Sequence, residues 1–399
     1  QQLDGDNRPT PDLTAARGSE AVGDYSPLWR FLDQWSESST KAMVDMTIND
    51  AHGKPFEVTW AKLSSMVDAI AVGFRENGMR PGDRVSMLVE PGRDLTAALY
   101  AVLRVGGVAV VTDAGLGVDG MTRAIRSAAP QWIIGQTPGL SLARIGNLPG
   151  KRLSVKTMDP IARRVLGLSG SIYGFASTYA SQQYRPTAEQ PDPNPTDDAA
   201  ILFTSGSTGP AKGVRYTHQK LSALTQRLQH TLHVEPGSSL LAGFAPFALL
   251  GPATGATSVT PNMSVTKPAP LTAKSLAQAA IAGDTTMIFA SPAALRNVVD
   301  TAHELNTEQR TALEQISMLL SAGAPVPVPL MNEVLELVPN AEFHSPYGMT
   351  ESLLISDIDH HTQHAIAGRD DRGVCVGKPL DVARVAMAPL DFLDRTSPR

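Results

Sequence analysis

Apolar residues recur at two alternating spacings along most of this chain. Leu63, Val67, Ile70 and Phe74 are three or four residues apart, which places their side chains on one face of a helix. A short continuous apolar run, Val85–Val89, comes next and predicts a buried strand. Because the alternation continues through the chain, we expect an α/β protein with mainly parallel sheets.

Further segments follow the same two patterns. Predicted helices cover 94–104, 221–232 and 271–282, and predicted strands cover 108–111, 286–289 and 316–321. Ser291 followed by Pro292 predicts the start of another helix, since serine caps helix N-termini and proline suits the first helical position.

A proline-rich segment divides the chain. Pro186–Pro195 contains four prolines in ten residues, which disfavours both helix and interior strand. We therefore predict the following organisation: a loosely ordered arm (1–27), a first α/β lobe (28–185), a linker (186–198), a second lobe that carries the ligand sites (199–380), and the start of a further part (381–399).

Composition excludes several classes of protein. A chain of 399 residues is too long to fold around one simple hydrophobic core. Its hydrophobic content of 42% is ordinary for a globular protein. A net charge of −5 argues against a nucleic-acid partner, and no apolar run is long enough for a transmembrane helix. The single cysteine, Cys375, excludes an internal disulfide framework and favours a reducing, cytoplasmic setting; we expect it to be buried.

Thr204–Gly213 is rich in residue types that bind phosphate. It combines four small hydroxyl residues, three glycines and one lysine after a strand-like run. Backbone N–H groups can converge there on anionic oxygens, and Lys212 adds positive charge. No Ser or Thr follows the lysine, so this is not a Walker A loop; a flexible surface loop is the alternative. The candidate ligands are Thr204, Ser205, Gly206, Ser207, Thr208, Gly209 and Lys212.

A second candidate motif is Tyr347–Glu351, preceded by Ser345 and Pro346. A flat tyrosine ring suits the face of a purine, and a carboxylate suits a hard cation that also binds phosphate. Taken alone, this short run could be an ordinary turn.

Together, and in this order, the two motifs resemble the signatures of the adenylate-forming superfamily. That group contains acyl-CoA synthetases, luciferases and the adenylation domains of peptide synthetases. The resemblance implies the large N-terminal domain of that fold, with two α/β lobes of mainly parallel sheets plus a small β subdomain. It also implies ATP and Mg²⁺ as cofactors.

The resemblance implies a role for each motif residue. Lys212 and the loop donors would hold the β- and γ-phosphates of ATP. Tyr347 beside Gly348 would stack on adenine, Thr350 would contact the α-phosphate, and Glu351 with Thr208 would hold Mg²⁺. The backbone of a segment after a predicted strand would line the adenine pocket, and its residues are Gly323, Ala324 and Pro325.

Ala245–Pro252 suggests a branch of the superfamily. Many acyl-CoA synthetases read P-x-F-H here, and the histidine is absent from this chain. The run instead resembles the β-lactone synthetases of bacterial olefin biosynthesis. Candidate acyl contacts, for which plain core packing is the alternative, are Phe247, Ala248, Leu249, Leu250, Gly251 and Met349.

This resemblance implies activation of a fatty acid, expected to carry a 3-hydroxyl, as an acyl adenylate that closes to a β-lactone. The first alternative is a fatty acyl-CoA or acyl-AMP ligase. The acyl-CoA ligase would need CoA as well. A non-catalytic nucleotide-binding scaffold is the second, although Lys212 and Glu351 argue against it. The expected partner is the small acid, and assembly with other enzymes of the same pathway is a further expectation.

One feature departs from a complete active site of the family. A Thr-Gly-Asp motif is not found after Pro379, so we expect the mobile C-terminal domain of the family to be absent from this chain and turnover to be poor.

A histidine-rich stretch is a candidate metal site. His360 and His364 stand four residues apart beside two aspartates, but the H-E-x-x-H pattern is missing, which favours a surface segment over a metal site.

Overall fold

A computed structural model describes residues 24–50, 52–112, 116–203, 212–242, 245–263, 271–367, 373–381, 383 and 385. For 245–249 it describes the backbone only. Within them, helices and strands alternate as the apolar spacing predicted.

The described strands are β1 (Lys41–Asn49), β2 (Pro55–Thr59), β3 (Arg84–Leu88), β4 (Val108–Thr112), β5 (Trp132–Gly135), β6 (Lys151–Ser154), β7 (Leu168–Ser171), β8 (Asp198–Phe203), β9 (Gly213–Thr217), β10 (Ser239–Ala242), β11 (Thr257–Thr260), β12 (Met287–Phe289), β13 (Met318–Leu320), β14 (Glu342–His344), β15 (Tyr347–Met349), β16 (Ser352–Asp357) and β17 (Lys378–Pro379).

The described α-helices are α1 (Arg30–Gln34), α2 (Trp60–Glu76), α3 (Arg93–Arg104), α4 (Gly117–Ala128), α5 (Thr137–Ile145), α6 (Pro160–Leu166), α7 (Ile172–Thr178), α8 (His218–Thr231), α9 (Ala245–Thr254), α10 (Ala273–Gly283), α11 (Pro292–Asp300), α12 (Thr307–Glu314), α13 (Val328–Leu337) and α14 (His360–Ala365). Each of these is too short or too polar to cross a lipid bilayer.

Local chemistry sets the helix boundaries. The Thr59 hydroxyl accepts a hydrogen bond from the Lys62 amide and begins α2, whose predicted apolar face is buried. The Ser291 hydroxyl accepts from the Ala294 amide and begins α11, with Pro292 at its first position. The predicted apolar face of α2 and the predicted start of α11 are confirmed.

Two seven-stranded sheets form the body of the molecule. The first has the order β7-β6-β5-β3-β4-β8-β9 and the second β14-β13-β12-β10-β11-β1-β2. All neighbours pair in parallel except the edge pairs β8–β9 and β1–β2, which are antiparallel. A small antiparallel sheet, β15-β16-β17, completes the predicted architecture of two α/β lobes with a β subdomain.

The sheets exchange strands across the proline-rich segment. β1 and β2 precede it but lie in the second sheet, whereas β8 and β9 follow it but complete the first sheet. The ranges 28–185 and 199–380 therefore do not coincide with the two sheets. Local apolar patterns indicate strands but not their partners, because strand pairing joins residues far apart in sequence. Whether 186–198 separates two folding units stays a prediction.

Cys375 is exposed, so the expectation that it is buried was wrong. It lies in an extended stretch between Gly373 and Gly377, both with positive φ, and the neighbouring Val374 is exposed as well. The stretch leads to β17, the edge strand of the smallest sheet, where little of the protein covers it.

His218, the first residue of α8, is fully buried. Its ring packs edge-on against Trp29, with ring centroids 6.0 Å apart. Neither ring nitrogen has a hydrogen-bond partner in the described part of the chain. Burial, opposed by the charge of Asp197, lowers the pKa of His218 from 6.5 to about 4.

Folding stability should therefore fall in mild acid. The unfolded chain binds a proton at His218 more readily, so stability present above pH 6.5 is lost as the pH falls toward 4. The contribution is on the order of 2–3 kcal/mol. His218→Leu should flatten the pH dependence of urea unfolding, and His303→Leu, at an exposed histidine, should not. Equal pH dependence in the wild type and the His218 variant would contradict this origin.

Candidate nucleotide and acyl site

The candidate phosphate segment connects two paired strands. Thr204, Ser205, Gly206, Ser207, Thr208 and Gly209 lie outside the described residues, but the strands on either side are described. β8 runs parallel to β4, and Phe203 pairs with Gly213 of β9. The chain thus leaves β8 and enters β9 at the carboxyl edge of the first sheet, the edge where open α/β sheets bind ligands. Lys212, directly before β9, is exposed there.

The candidate adenine segment leaves the second sheet at the corresponding edge. β13 and β14 are parallel neighbours, with Leu320 opposite His344. Gly323, Ala324 and Pro325 follow β13 and are exposed. The Tyr347 motif follows β14, so these two predicted parts leave adjacent strands at one edge, as parallel pairing requires.

The Tyr347–Glu351 motif comprises β15 and the tight turn that joins it to the antiparallel strand β16. A Cβ at Gly348 would lie 2.8 Å from the Leu354 amide nitrogen, so only glycine fits this close approach. Tyr347 and Met349 are 42% and 45% exposed, unusually open for large apolar side chains. Glu351 is exposed and Thr350 half-buried. The Tyr347 ring and the Glu351 carboxylate are therefore open to solvent.

One hydrogen bond joins the two motifs. The hydroxyl of Tyr216, in β9, donates to the backbone carbonyl of Thr350. Tyr216 is buried, and its pKa is raised by that burial and by the negative charge of Glu351. The strand that follows the phosphate segment is thus fixed to the turn that carries Glu351.

An ion pair closes the base of the turn. His344 Nδ1 lies 2.5 Å from Asp357 Oδ2, and Nε2 lies 3.7 Å from Glu342. The hydrogen bond with Asp357 is the main reason that the pKa of His344 is raised. The Ser345 amide also donates to the Ile358 carbonyl at 2.8 Å. These contacts hold the two ends of the motif together.

Sequence reasoning missed Tyr216 and His344. Neither residue belongs to a recognisable sequence motif: Tyr216 is a single tyrosine in a strand, and His344 is a single histidine at the end of one. Their hydrogen-bond partners lie in other segments of the chain. Asp357 also begins the histidine-rich stretch, in which Asp359 caps α14 by accepting from the Thr362 amide. In the described ranges, no three His, Cys, Asp or Glu side chains form a metal-binding group.

The candidate acyl segment is helix α9. The side chains of Phe247, Ala248 and Leu249 lie outside the described residues, whereas Leu250 is half-buried and Gly251 buried. A Cβ at Gly251 would lie 2.4 Å from Ser258 Oγ, so the helix packs directly on β11. A small apolar cleft beside the helix is lined by Leu228, Leu232, Val234, Leu240, Leu250, Gly251, Thr254 and Leu320.

The cleft and the candidate adenine segment both adjoin β13. Leu320, the last residue of β13, lines the cleft, and Gly323 follows three residues later. The cleft therefore lies close to the candidate adenine segment.

A family model described as AMP-binding enzyme matches residues 35–390 of this chain. The chain therefore belongs to that family of adenylate-forming proteins, as its two motifs predicted.

Among curated proteins, the chain is 32% identical to an olefin beta-lactone synthetase of Xanthomonas campestris and 30% identical to one of Stenotrophomonas maltophilia. Each match covers 84% of this chain but only 58% and 59% of the relative. The chain thus spans somewhat more than half the length of these curated relatives.

Solved structures confirm the fold. A putative long-chain-fatty-acid CoA ligase from Rhodopseudomonas palustris has a TM-score of 0.68 at 16% identity, covering 90% of this chain and 82% of that one. The AMPPNP-bound nonribosomal peptide synthetase FmoA3 has a TM-score of 0.68 at 22% identity, covering 90% of this chain and 35% of that one.

Loss of the Tyr216 hydroxyl should loosen the Tyr347–Glu351 turn. Tyr216→Phe removes the donor to Thr350, at a cost of about 1 kcal/mol. Amide hydrogen exchange in 347–351 should become faster than in the wild type. Tyr179→Phe is the matched control, because that hydroxyl has no hydrogen bond to any described residue. Unchanged exchange in the Tyr216 variant would show that the hydrogen bond does not order the turn.

Proposed function

We propose that this chain activates a 3-hydroxy fatty acid with ATP and then closes the acyl adenylate to a β-lactone. The observation that carries the proposal is the convergence of the Tyr347–Glu351 turn, the Gly323–Pro325 segment and the strand after the phosphate segment, held by Tyr216. Relatives named olefin beta-lactone synthetase support the choice of product.

The nucleotide would lie across the carboxyl edges of both sheets. The open face of Tyr347 suits adenine, with backbone groups of Gly323, Ala324 and Pro325 around the purine. Thr350 would contact the α-phosphate, and Lys212 would contact the β- and γ-phosphates together with the donors of 204–209.

The residues present fit a Mg²⁺ ion. Glu351 is an exposed carboxylate without an ion-pair partner among the described side chains, and a hard cation prefers such oxygen ligands. We assign Glu351 and Thr208 to this ion. When bound, it neutralises charge on the phosphate oxygens.

The first step is an in-line attack of the substrate carboxylate oxygen on the α-phosphorus. A new P–O bond forms, the bond to the β-phosphate oxygen breaks, and pyrophosphate leaves. The chain's part is to position both reactants and to offset the developing charge with Lys212 and backbone donors.

The second step is internal. The 3-hydroxyl oxygen of the substrate attacks the acyl carbon and gives its proton to water. The bond from the acyl carbon to the phosphate oxygen breaks, and AMP leaves as the four-membered ring closes. The acyl chain would lie along α9, in contact with Phe247, Ala248, Leu249, Leu250 and Gly251, and Met349 would cover it from the turn.

The main alternative is a fatty acyl-CoA or acyl-AMP ligase, in which the adenylate passes to CoA or leaves intact. A non-catalytic nucleotide-binding scaffold is the second alternative. The full-length protein distinguishes them when it is incubated with ATP, Mg²⁺ and either a 3-hydroxy or a plain fatty acid, with and without CoA. AMP release that requires the 3-hydroxyl but not CoA supports the lactone. CoA-dependent AMP release supports the acyl-CoA ligase. Pyrophosphate release without AMP release supports the acyl-AMP ligase, and release of neither product with either acid supports the scaffold.

Lys212→Ala should weaken ATP binding by roughly tenfold or more, because a charge-assisted hydrogen bond contributes about 1.5–3 kcal/mol. Equilibrium titration with ATP measures this. Lys220→Ala is the matched control, since Lys220 is an exposed lysine on α8. Equal affinities in both variants would remove Lys212 from the phosphate site.

Glu351→Gln should lower Mg²⁺-dependent AMP formation by about tenfold or more, because it keeps the shape of the side chain and removes its charge. The free energy of unfolding should change little, as the side chain is exposed. Glu336→Gln, at an exposed glutamate of α13, controls for the loss of a carboxylate. A large loss of stability in the Glu351 variant would indicate a structural residue instead.

A further inference from the structure

Helices α5 and α6 leave three large aliphatic side chains open to solvent. Ile145, Ile161 and Val165 are 86%, 77% and 62% exposed. They are three of the five most exposed large apolar side chains in the described part of the chain. Isolated exposed apolar residues are common, but clusters on neighbouring helices mark interaction surfaces.

The same region is strongly basic. Residues 144–167 contain six basic residues and one acidic residue, in a chain whose net charge is −5. The acidic residue, Asp159, is engaged as the N-cap of α6, where it accepts from the Ile161 and Ala162 amides. We call the following residues the α5–α6 patch: Arg144, Ile145, Lys151, Arg152, Ile161, Arg163, Arg164 and Val165.

The positive charges converge without a carboxylate partner among the described residues, although Arg152 donates to the backbone carbonyls of Ala143 and Leu148. Nη1 of Arg152 and Nη1 of Arg144 lie 3.4 and 4.0 Å from the position of a Cβ at Gly167. Gly167 is the C-cap of α6, whose last turn carries Arg163 and Arg164. None of these four arginines forms a salt bridge with a carboxylate of the described residues. Clustered like charges repel one another, so an anionic partner would stabilise them.

The α5–α6 patch is remote from the candidate nucleotide site. It borders β6 and β7, at one end of the first sheet, whereas the phosphate segment adjoins β9 at the other end. Its residues therefore play no part in the nucleotide contacts assigned above.

We propose that the α5–α6 patch docks on an anionic lipid bilayer. Arg144, Arg163 and Arg164 are exposed and can each bind lipid phosphates through two N–H donors, while the aliphatic side chains between them enter the headgroup region. Since the rest of the chain is acidic, an anionic bilayer attracts this face and repels the others, which fixes the orientation.

A lipid surface fits this patch better than a protein does. Energetically dominant residues of protein interfaces are enriched in Trp, Tyr and Arg and poor in Leu and Val. The α5–α6 patch has the arginines, but Ile and Val stand in place of the aromatic rings. No aromatic side chain belongs to the patch, whereas protruding aliphatic groups bordered by arginine are the pattern of surface-bound helices. This inference does not depend on which acid the candidate site activates.

Vesicle co-sedimentation tests the proposal. The wild-type protein should bind vesicles of phosphatidylcholine with phosphatidylglycerol, bind phosphatidylcholine alone much more weakly, and dissociate at high ionic strength. Arg163→Glu/Arg164→Glu should weaken binding at least about tenfold. Lys274→Glu/Arg310→Glu, an equal charge change at exposed residues of α10 and α12, should not weaken binding.

The aliphatic side chains are tested separately. Ile161→Ser/Val165→Ser should also weaken vesicle binding, and Val118→Ser on α4 should not.

Three results would overturn the proposal: no binding of the wild-type protein to anionic vesicles, equal binding to zwitterionic vesicles, or equal losses in the patch and control variants. Binding to polyglutamate through the same arginines, without vesicle binding, would assign the surface to an acidic protein instead. All variants should retain the circular dichroism of the wild type, because the changed side chains are exposed.

Discussion

The candidate site depends on the hydrogen bond between the Tyr216 hydroxyl and the Thr350 carbonyl. β9 belongs to the first sheet, and the turn that contains Thr350 follows the second. Each sheet alone would supply only part of the proposed nucleotide site at its carboxyl edge. Because the bond runs from the buried Tyr216 side chain to backbone, it links Lys212, next to β9, to Glu351, next to Thr350.

The exchange of strands between the sheets supports the same arrangement. β1 and β2 reach the second sheet before the chain builds the first, and β8 and β9 return to the first sheet after the proline-rich segment. The chain crosses between the sheets repeatedly, so neither is completed by a continuous stretch. Against this body, Tyr347 and Met349 remain open, and a ligand that covers them would gain apolar contact.

Much of this could be predicted from sequence, wherever the determining interactions are local. Helix α2 and the start of α11 follow from apolar spacing and capping hydroxyls, and the Tyr347 motif follows from its residue types. Strand partners could not be predicted, since nothing near β1 indicates pairing with β11. Tyr216 escaped notice for the same reason: its importance arises from a partner 134 residues away. The exposure of Cys375 likewise depends on how distant parts of the chain pack, and local sequence does not indicate this.

The central claim is that the two motifs bind one nucleotide, and a double-mutant cycle on ATP–Mg²⁺ affinity tests it most directly. The cycle combines Lys212→Ala with Glu351→Gln, two exposed residues that make no direct contact in the described structure. If both act on one bound nucleotide, the coupling free energy should be at least about 0.5 kcal/mol. Strictly additive effects of the two substitutions would contradict a shared site.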